Sequence, residues 1–173
     1  MLARRTIRQT NATFSCISLN SPYGRAISQA YHRKTSLERG RITLEKYHLV
    51  AVVTLVTGIV IFGMALTVSR THATTGILAP TMTGDPVLER AIRAHANTLE
   101  WLPIFLASMW LFAIYWSPAW ASGLGTVWVI GRIIYFVGYR SDANRRFPGF
   151  FIQCLAHFAL MLGALGRIIY LML

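Results

Sequence analysis

An all-α fold, with four helices crossing a membrane, is what this amino-acid sequence predicts. Two observations carry the prediction. Hydrophobic residues make up 54% of the chain and charged residues only 13%, a balance too apolar for a soluble domain. The apolar residues also gather into four runs, separated by charged or proline- and glycine-containing breaks. The length of these runs fits bilayer-crossing helices.

Lys46 and Arg70 bracket the first run, Tyr47 to Ser69, which carries no formal charge. As a helix it is about 35 Å long, enough to cross a bilayer. Thr71 to Gly84 reads as a loop, with Gly76, Pro80 and Gly84 as breakers. Asp85-Pro86 is a helix start, a capping carboxylate followed by proline in the first turn. The second helix then runs from Pro86 to about Tyr115. Its apolar part, Trp101 to Trp116, is short for a span, so its polar first turns must be covered by protein. Ser117-Pro118 is a tight break, making the second and third helices antiparallel neighbours. The third extends from Pro118 to Tyr139 or beyond. Ser141 to Arg146 is a short charged connection, Pro148 opens the fourth helix, and Arg167 closes its uncharged stretch.

Residues 1–43 differ from the domain that follows, residues 44–173. They are rich in Arg, Ser and Thr and contain no acid before Glu38. With Arg4, Arg5 and Arg8 on a short amphipathic start, the segment reads as an organelle-targeting presequence, as a disordered basic extension, or as an upstream start that the cell does not use. The formal net charge is +11. Residues 1–46 hold nine Lys/Arg against two acids, and residues 47–173 hold eight against four. No nucleic-acid partner is expected, because the basic tail lacks aromatic interleaving and zinc-ligand spacing. Membrane lipids or a small anionic substrate fit better. Two cysteines, Cys16 and Cys154, make no disulfide framework. The rule that basic loops face the cytoplasm and the basic leader argue for opposite orientations. The compartment stays open between a bacterial inner membrane and an organelle membrane.

Charged side chains inside a bilayer are costly and usually face a bundle interior, a partner or a ligand. Here they form two stripes. At helical spacing Arg93, Asn97 and Glu100 share one face, with Arg90 on its edge. Arg132, Tyr135 and Tyr139 share another on the third helix. If helical geometry persists through the connection, Arg146 follows one heptad later on the same side. Guanidiniums want carboxylates, which they hold bidentately. Glu100 wants an ammonium, and Asn97 pairs with an amide. A small peptide-like anion with two carboxylates and one amine meets these demands. If it carries a thiol, a nearby arginine favours the nucleophilic thiolate.

RAHANTLEWLPIFL at residues 93–106 resembles the second-helix signature of the membrane-associated proteins in eicosanoid and glutathione metabolism, the MAPEG family. GRIIYFVGYRSDANRR at 131–146 resembles its third-helix signature. The resemblance covers roughly residues 44–173. It implies a four-helix bundle that assembles as a homotrimer, with glutathione as co-substrate in a cleft between subunits and no metal. A lipophilic electrophile or lipid hydroperoxide would arrive from the bilayer. Carried over by position, Arg93 would hold a glutathione carboxylate, and Asn97 and Glu100 the peptide and its amine. Arg132, Tyr135 and Tyr139 would complete the pocket, and Arg146 would stabilise the thiolate. His95, where some members have Gln, and Arg90 are further binding candidates. Trp101 departs from the tyrosine of leukotriene-synthase-like members, which favours a general transferase or peroxidase. Arg70 is a weak match to a partner arginine expected from the first loop. The alternative within the family is a non-catalytic lipid-binding scaffold.

Each of these residues also has a plainer role. Arg93 and Glu100 would serve as an intramembrane salt bridge, and Tyr135 and Tyr139 as interfacial aromatics. Arg145 and Arg146 would serve as positive anchors. His95 and His157 read as hydrogen-bonded packing residues rather than metal ligands, since no HExxH or paired His/Cys spacing accompanies them. Gly123, Gly125, Gly163 and Gly166 are expected to allow close helix approach.

Overall fold

The structure is a computed structural model that describes residues 22–173. The amphipathic start expected around Arg4, Arg5 and Arg8, and Cys16, lie outside the described residues. The chain divides after Glu45 into two units. Within the first, residues Pro22–Glu45 form helix α1.

The second unit is built from four long helices: α2 (His48–Thr75), α3 (Pro86–Tyr115), α4 (Pro118–Ser141) and α5 (Phe147–Met172). A 3₁₀ turn, Ala143–Arg146, joins α4 to α5. Each long helix, the last counted together with its 3₁₀ turn, is long and apolar enough to cross a membrane. No strand occurs among the described residues.

Local chemistry sets most of the boundaries. The Asp85 carboxylate caps α3, accepting from the Val87 and Leu88 amides at 2.8 and 2.9 Å, with Pro86 in the first turn. Glu89 adds an acceptor for the Gly84 amide. Helix α2 outlasts the first apolar run by about a turn and a half. Arg70 does not end it, because a charge on the helix surface leaves the backbone ladder intact. It ends at Gly76, whose φ of 70° is the left-handed conformation that glycine accepts freely. The same reasoning carries α5 past Arg167 to Met172.

Helices α4 and α5 touch along their backbones. A Cβ at Gly149 would collide with the Tyr135 amide and fall 2.6 Å from the Gly131 carbonyl. One at Gly138 would collide with the Arg145 carbonyl. Gly125 abuts Met109 and Val53, and Gly163 abuts Phe112, as expected of close-approach glycines. Gly123 and Gly166 face open space instead, so the small-residue expectation fails there. A glycine's spacing in sequence does not say which side of its helix meets a neighbour.

The core holds Val50, Met109, Phe112 and Leu160 around Phe105, whose ring stacks on Trp128 at 3.8 Å between centroids. Trp110 donates to the Thr54 hydroxyl at 3.2 Å, tying α3 to α2. A second buried cluster, Met64, Ala94, Tyr135 and Phe136, lies beside the polar stripes. Large apolar side chains cover the outside, among them Leu55, Ile59 and Phe62 on α2. In lipid such a bundle is held by close packing and interhelical hydrogen bonds rather than by burial from water, which is where the α4–α5 glycines contribute.

Candidate functional site

Arg93, Asn97, Tyr135, Tyr139 and Arg146 line one cavity of about 250 Å³, together with Phe147 and Phe150. Three helices and the 3₁₀ turn contribute. Helix α3 presents Arg93 and Asn97 one turn apart, and α4 presents Tyr135 and Tyr139 in the same way. The two tyrosine rings lie 5.7 Å apart.

Arg146 reaches this cavity by a different route from a continued helix. Helix α4 stops at Ser141, and Asp142 is extended, with φ −152° and ψ 136°. The Asp142 carboxylate accepts from the Asn144 amide at 2.7 Å and starts the 3₁₀ turn. That turn brings the Arg146 guanidinium to 5.2 Å from the Tyr139 ring centre and 5.4 Å from that of Phe147. The heptad register therefore fails as a reason, although its outcome, Arg146 beside Tyr139, stands.

Arg132 does not line the cavity. It is fully buried behind Asn97. Its Nη1 donates to Asn97 Oδ1 at 3.0 Å and its Nη2 to the Asn97 carbonyl at 3.4 Å. Trp101, Trp128 and Tyr135 surround the guanidinium at 5.8, 5.2 and 5.1 Å, a cation–π setting. Asn97 Nδ2 in turn donates to Glu100 Oε2 at 3.3 Å. The amide is thus oriented from both sides: its oxygen faces the buried cation and its nitrogen faces the carboxylate. Glu100 is exposed, pairs with Asn97 rather than with Arg93, and stands outside the cavity wall.

His95 and Arg90 are not brought to this cavity. His95 is half-buried on another face of α3. The Arg90 Nε donates to the Arg140 carbonyl at 3.1 Å, which turns the side chain toward the end of α4. His157 is buried with its ring 5.3 Å from Trp101. Its Nδ1 has no protein partner, so the expectation of a hydrogen-bonded histidine is corrected. Among the described residues no group of three His, Cys, Asp or Glu side chains could hold a metal ion.

Two wall residues, Phe147 and Phe150, were not anticipated. Their signal was present: both lie in the first turn after Arg146, at i and i+3, on a helix that Gly149 presses against Tyr135. Gln153 is also fully buried, and neither end of its amide has a protein partner. Its place beside Gly131 on α4 could not be read from spacing.

The profile of the MAPEG family matches residues 50–166, which include all of α3 and α4 and most of α2 and α5. The chain belongs to this family. It is accordingly a multi-pass membrane protein. An uncharacterized protein from Synechocystis sp. is 42% identical over 107 residues, 62% of this chain and 78% of its own length. Microsomal glutathione S-transferase 2 from Homo sapiens is 38% identical over 104 residues, 59% of this chain and 70% of its own. Leukotriene C4 synthase from Cavia porcellus is 33% identical over 119 residues, 68% of this chain and 79% of its own.

Proposed function

We propose that this MAPEG protein is a glutathione-dependent membrane enzyme, and that the cavity between α3, α4 and the start of α5 binds glutathione. One observation carries the reading: Arg93, Asn97, Tyr135, Tyr139 and Arg146, spread over more than fifty residues, surround a single cavity. Two guanidiniums at its wall match two carboxylates of a tripeptide. Glu100, exposed beside the fixed Asn97 amide, would meet the ammonium of the same ligand. Likeness to microsomal glutathione S-transferase 2 supports the same ligand.

In this reading Arg146 lowers the energy of the glutathione thiolate relative to the thiol. Held over Tyr139 and Phe147, its charge is partly shielded from water and already in position, so little reorganisation is needed as the sulfur reacts. With an electrophile, a carbon–sulfur bond forms and the leaving group departs with its electron pair. With a lipid hydroperoxide, the thiolate takes the terminal oxygen and the lipid leaves as an alcohol. A second glutathione then reduces the resulting sulfenic acid, giving glutathione disulfide and water. In this reading a bilayer-dissolved substrate would reach the cavity along the apolar outer surface of the bundle.

The test uses full-length protein in detergent, with glutathione and either an aryl halide or a fatty-acid hydroperoxide. Arg146→Ala is expected to lower kcat about 10²–10³-fold, the usual effect of losing one electrostatic stabiliser. The ultraviolet absorbance of bound thiolate should fall with it. Unchanged absorbance and rate would remove Arg146 from the mechanism. Absence of saturable glutathione binding by wild-type protein would leave the lipid-binding scaffold ahead.

A further inference from the structure

Arg90, turned away from the glutathione cavity, belongs to a second feature. Between the start of α3 and the end of α4 lies a groove of about 380 Å³ lined by Val87, Arg90, Phe136, Val137, Arg140 and Ser141. Its upper rim is cationic and its lower part apolar. The Arg90 Nε is fixed on the Arg140 carbonyl, which leaves the two terminal nitrogens of its guanidinium for another acceptor. Arg140 is exposed and also borders a smaller cavity with Thr67, Arg70, Thr71 and Thr74. The acids nearest in sequence are committed elsewhere: Asp85 caps α3, Glu89 accepts from Gly84, and Asp142 accepts from Asn144.

Below the arginines, Val137 is 62% exposed, and Ile133 and Ile130 continue the same face of α4 at 43% and 49%. These positions recur every three or four residues, so they make one apolar track that ends at Arg140. A paired-arginine rim above an apolar track has the charge and polarity of one amphiphile: an anionic head over a hydrocarbon tail. At this level of the molecule, where two membrane helices begin and end, that amphiphile is a bilayer lipid.

We propose that this groove binds one anionic phospholipid, its phosphate held by Arg90 and Arg140 and an acyl chain lying along Val137 and Ile133. Phosphate accepts from guanidinium at several oxygens. A zwitterionic lipid presents the same phosphate but also carries an ammonium, which the arginines repel. The site is separate from the glutathione cavity and does not depend on that assignment.

The test is retention of lipid by full-length protein, purified in detergent and exposed to mixed micelles of dioleoyl phosphatidylglycerol and dioleoyl phosphatidylcholine, read by native mass spectrometry. Wild type is expected to retain phosphatidylglycerol in preference. Arg90→Ala and Arg140→Ala should each weaken retention about fivefold, the usual effect of one arginine near an anionic lipid surface. Val137→Trp, which fills the apolar track at unchanged charge, should weaken it too. Arg167→Ala, one charge lost at the far end of α5, should not. A glutathione titration on the same samples reports folding and the other site independently. Equal retention of the two lipids overturns the proposal. So does a loss as large with Arg167→Ala as with Arg140→Ala, which would mean general charge attraction. Retention that none of these substitutions alters would mean that a second copy of the chain or another element covers the groove, and overturns it as well.

Discussion

Asn97 shows how a single side chain can be specified by its surroundings. A free amide can flip, exchanging donor for acceptor at little cost. Here Arg132 supplies donors only and the Glu100 carboxylate only acceptors, so a single orientation satisfies both. Arg132 is therefore a positioning residue, acting on the cavity through Asn97. Arg132→Met keeps length and apolar bulk but releases the amide. We expect KM for glutathione to rise about tenfold, the scale of one lost hydrogen bond to a charged group. kcat should stay near wild type, because Arg146 is untouched. Steady-state kinetics at saturating second substrate separate these effects. A drop in kcat with KM unchanged would contradict a positioning role.

The elements were largely legible in the sequence, and the lapses have identifiable causes. Asp85-Pro86 and Ser117-Pro118 begin α3 and α4 as written, because capping and proline geometry are local. Arg70 misled as a helix end because charge marks a water boundary, not a backbone boundary. Within the site, the i, i+4 pairs Arg93/Asn97 and Tyr135/Tyr139 were legible because both members of each pair ride on one rigid helix. Arg132, on the same stripe as Tyr135, was not legible as a buried residue: its depth depends on where α3 crosses α4. Gly149 is the clearest case of information that only packing reveals. It lets α5 lie against α4 so that Arg146, Phe147 and Phe150 reach the cavity. Gly149→Ala would put a methyl group into the Tyr135 backbone. The expected cost is about 1–3 kcal/mol of overpacking, seen as a lower thermal midpoint in detergent, with glutathione affinity falling in parallel. Asp85→Ala, the loss of one cap, should cost about 1 kcal/mol while leaving affinity intact. If the two variants lost affinity to the same degree, site geometry would not depend on the α4–α5 crossing in particular.

At the scale of the whole molecule the cavity is small for its proposed ligand. Pockets that enclose a small molecule run to ~300–1,000 Å³, and this one offers about 250 Å³. Arg93, which would hold a carboxylate, is exposed at its edge. On α2, Leu49, Val52, Val56 and Ile59 form an exposed apolar stripe at three- and four-residue spacing, and Leu66 continues it seven residues on, the spacing of a helix seam that packs against another helix. A homotrimer, the assembly expected from the family resemblance, would account for both features. Neighbouring copies would cover α2 and close the open side of the cavity over the tripeptide. The consequence is that glutathione binding should depend on assembly. Protein dispersed to monomers in a harsher detergent, checked by light scattering, should keep its helical circular dichroism, because the cores around Phe105 and Tyr135 lie within one chain. It should lose glutathione affinity by at least about tenfold, since one wall of the site is gone. Returning it to a mild detergent should restore assembly and binding together. A monomer that binds glutathione as tightly as the assembly would show that one chain builds the whole site, and the α2 stripe would then face lipid alone.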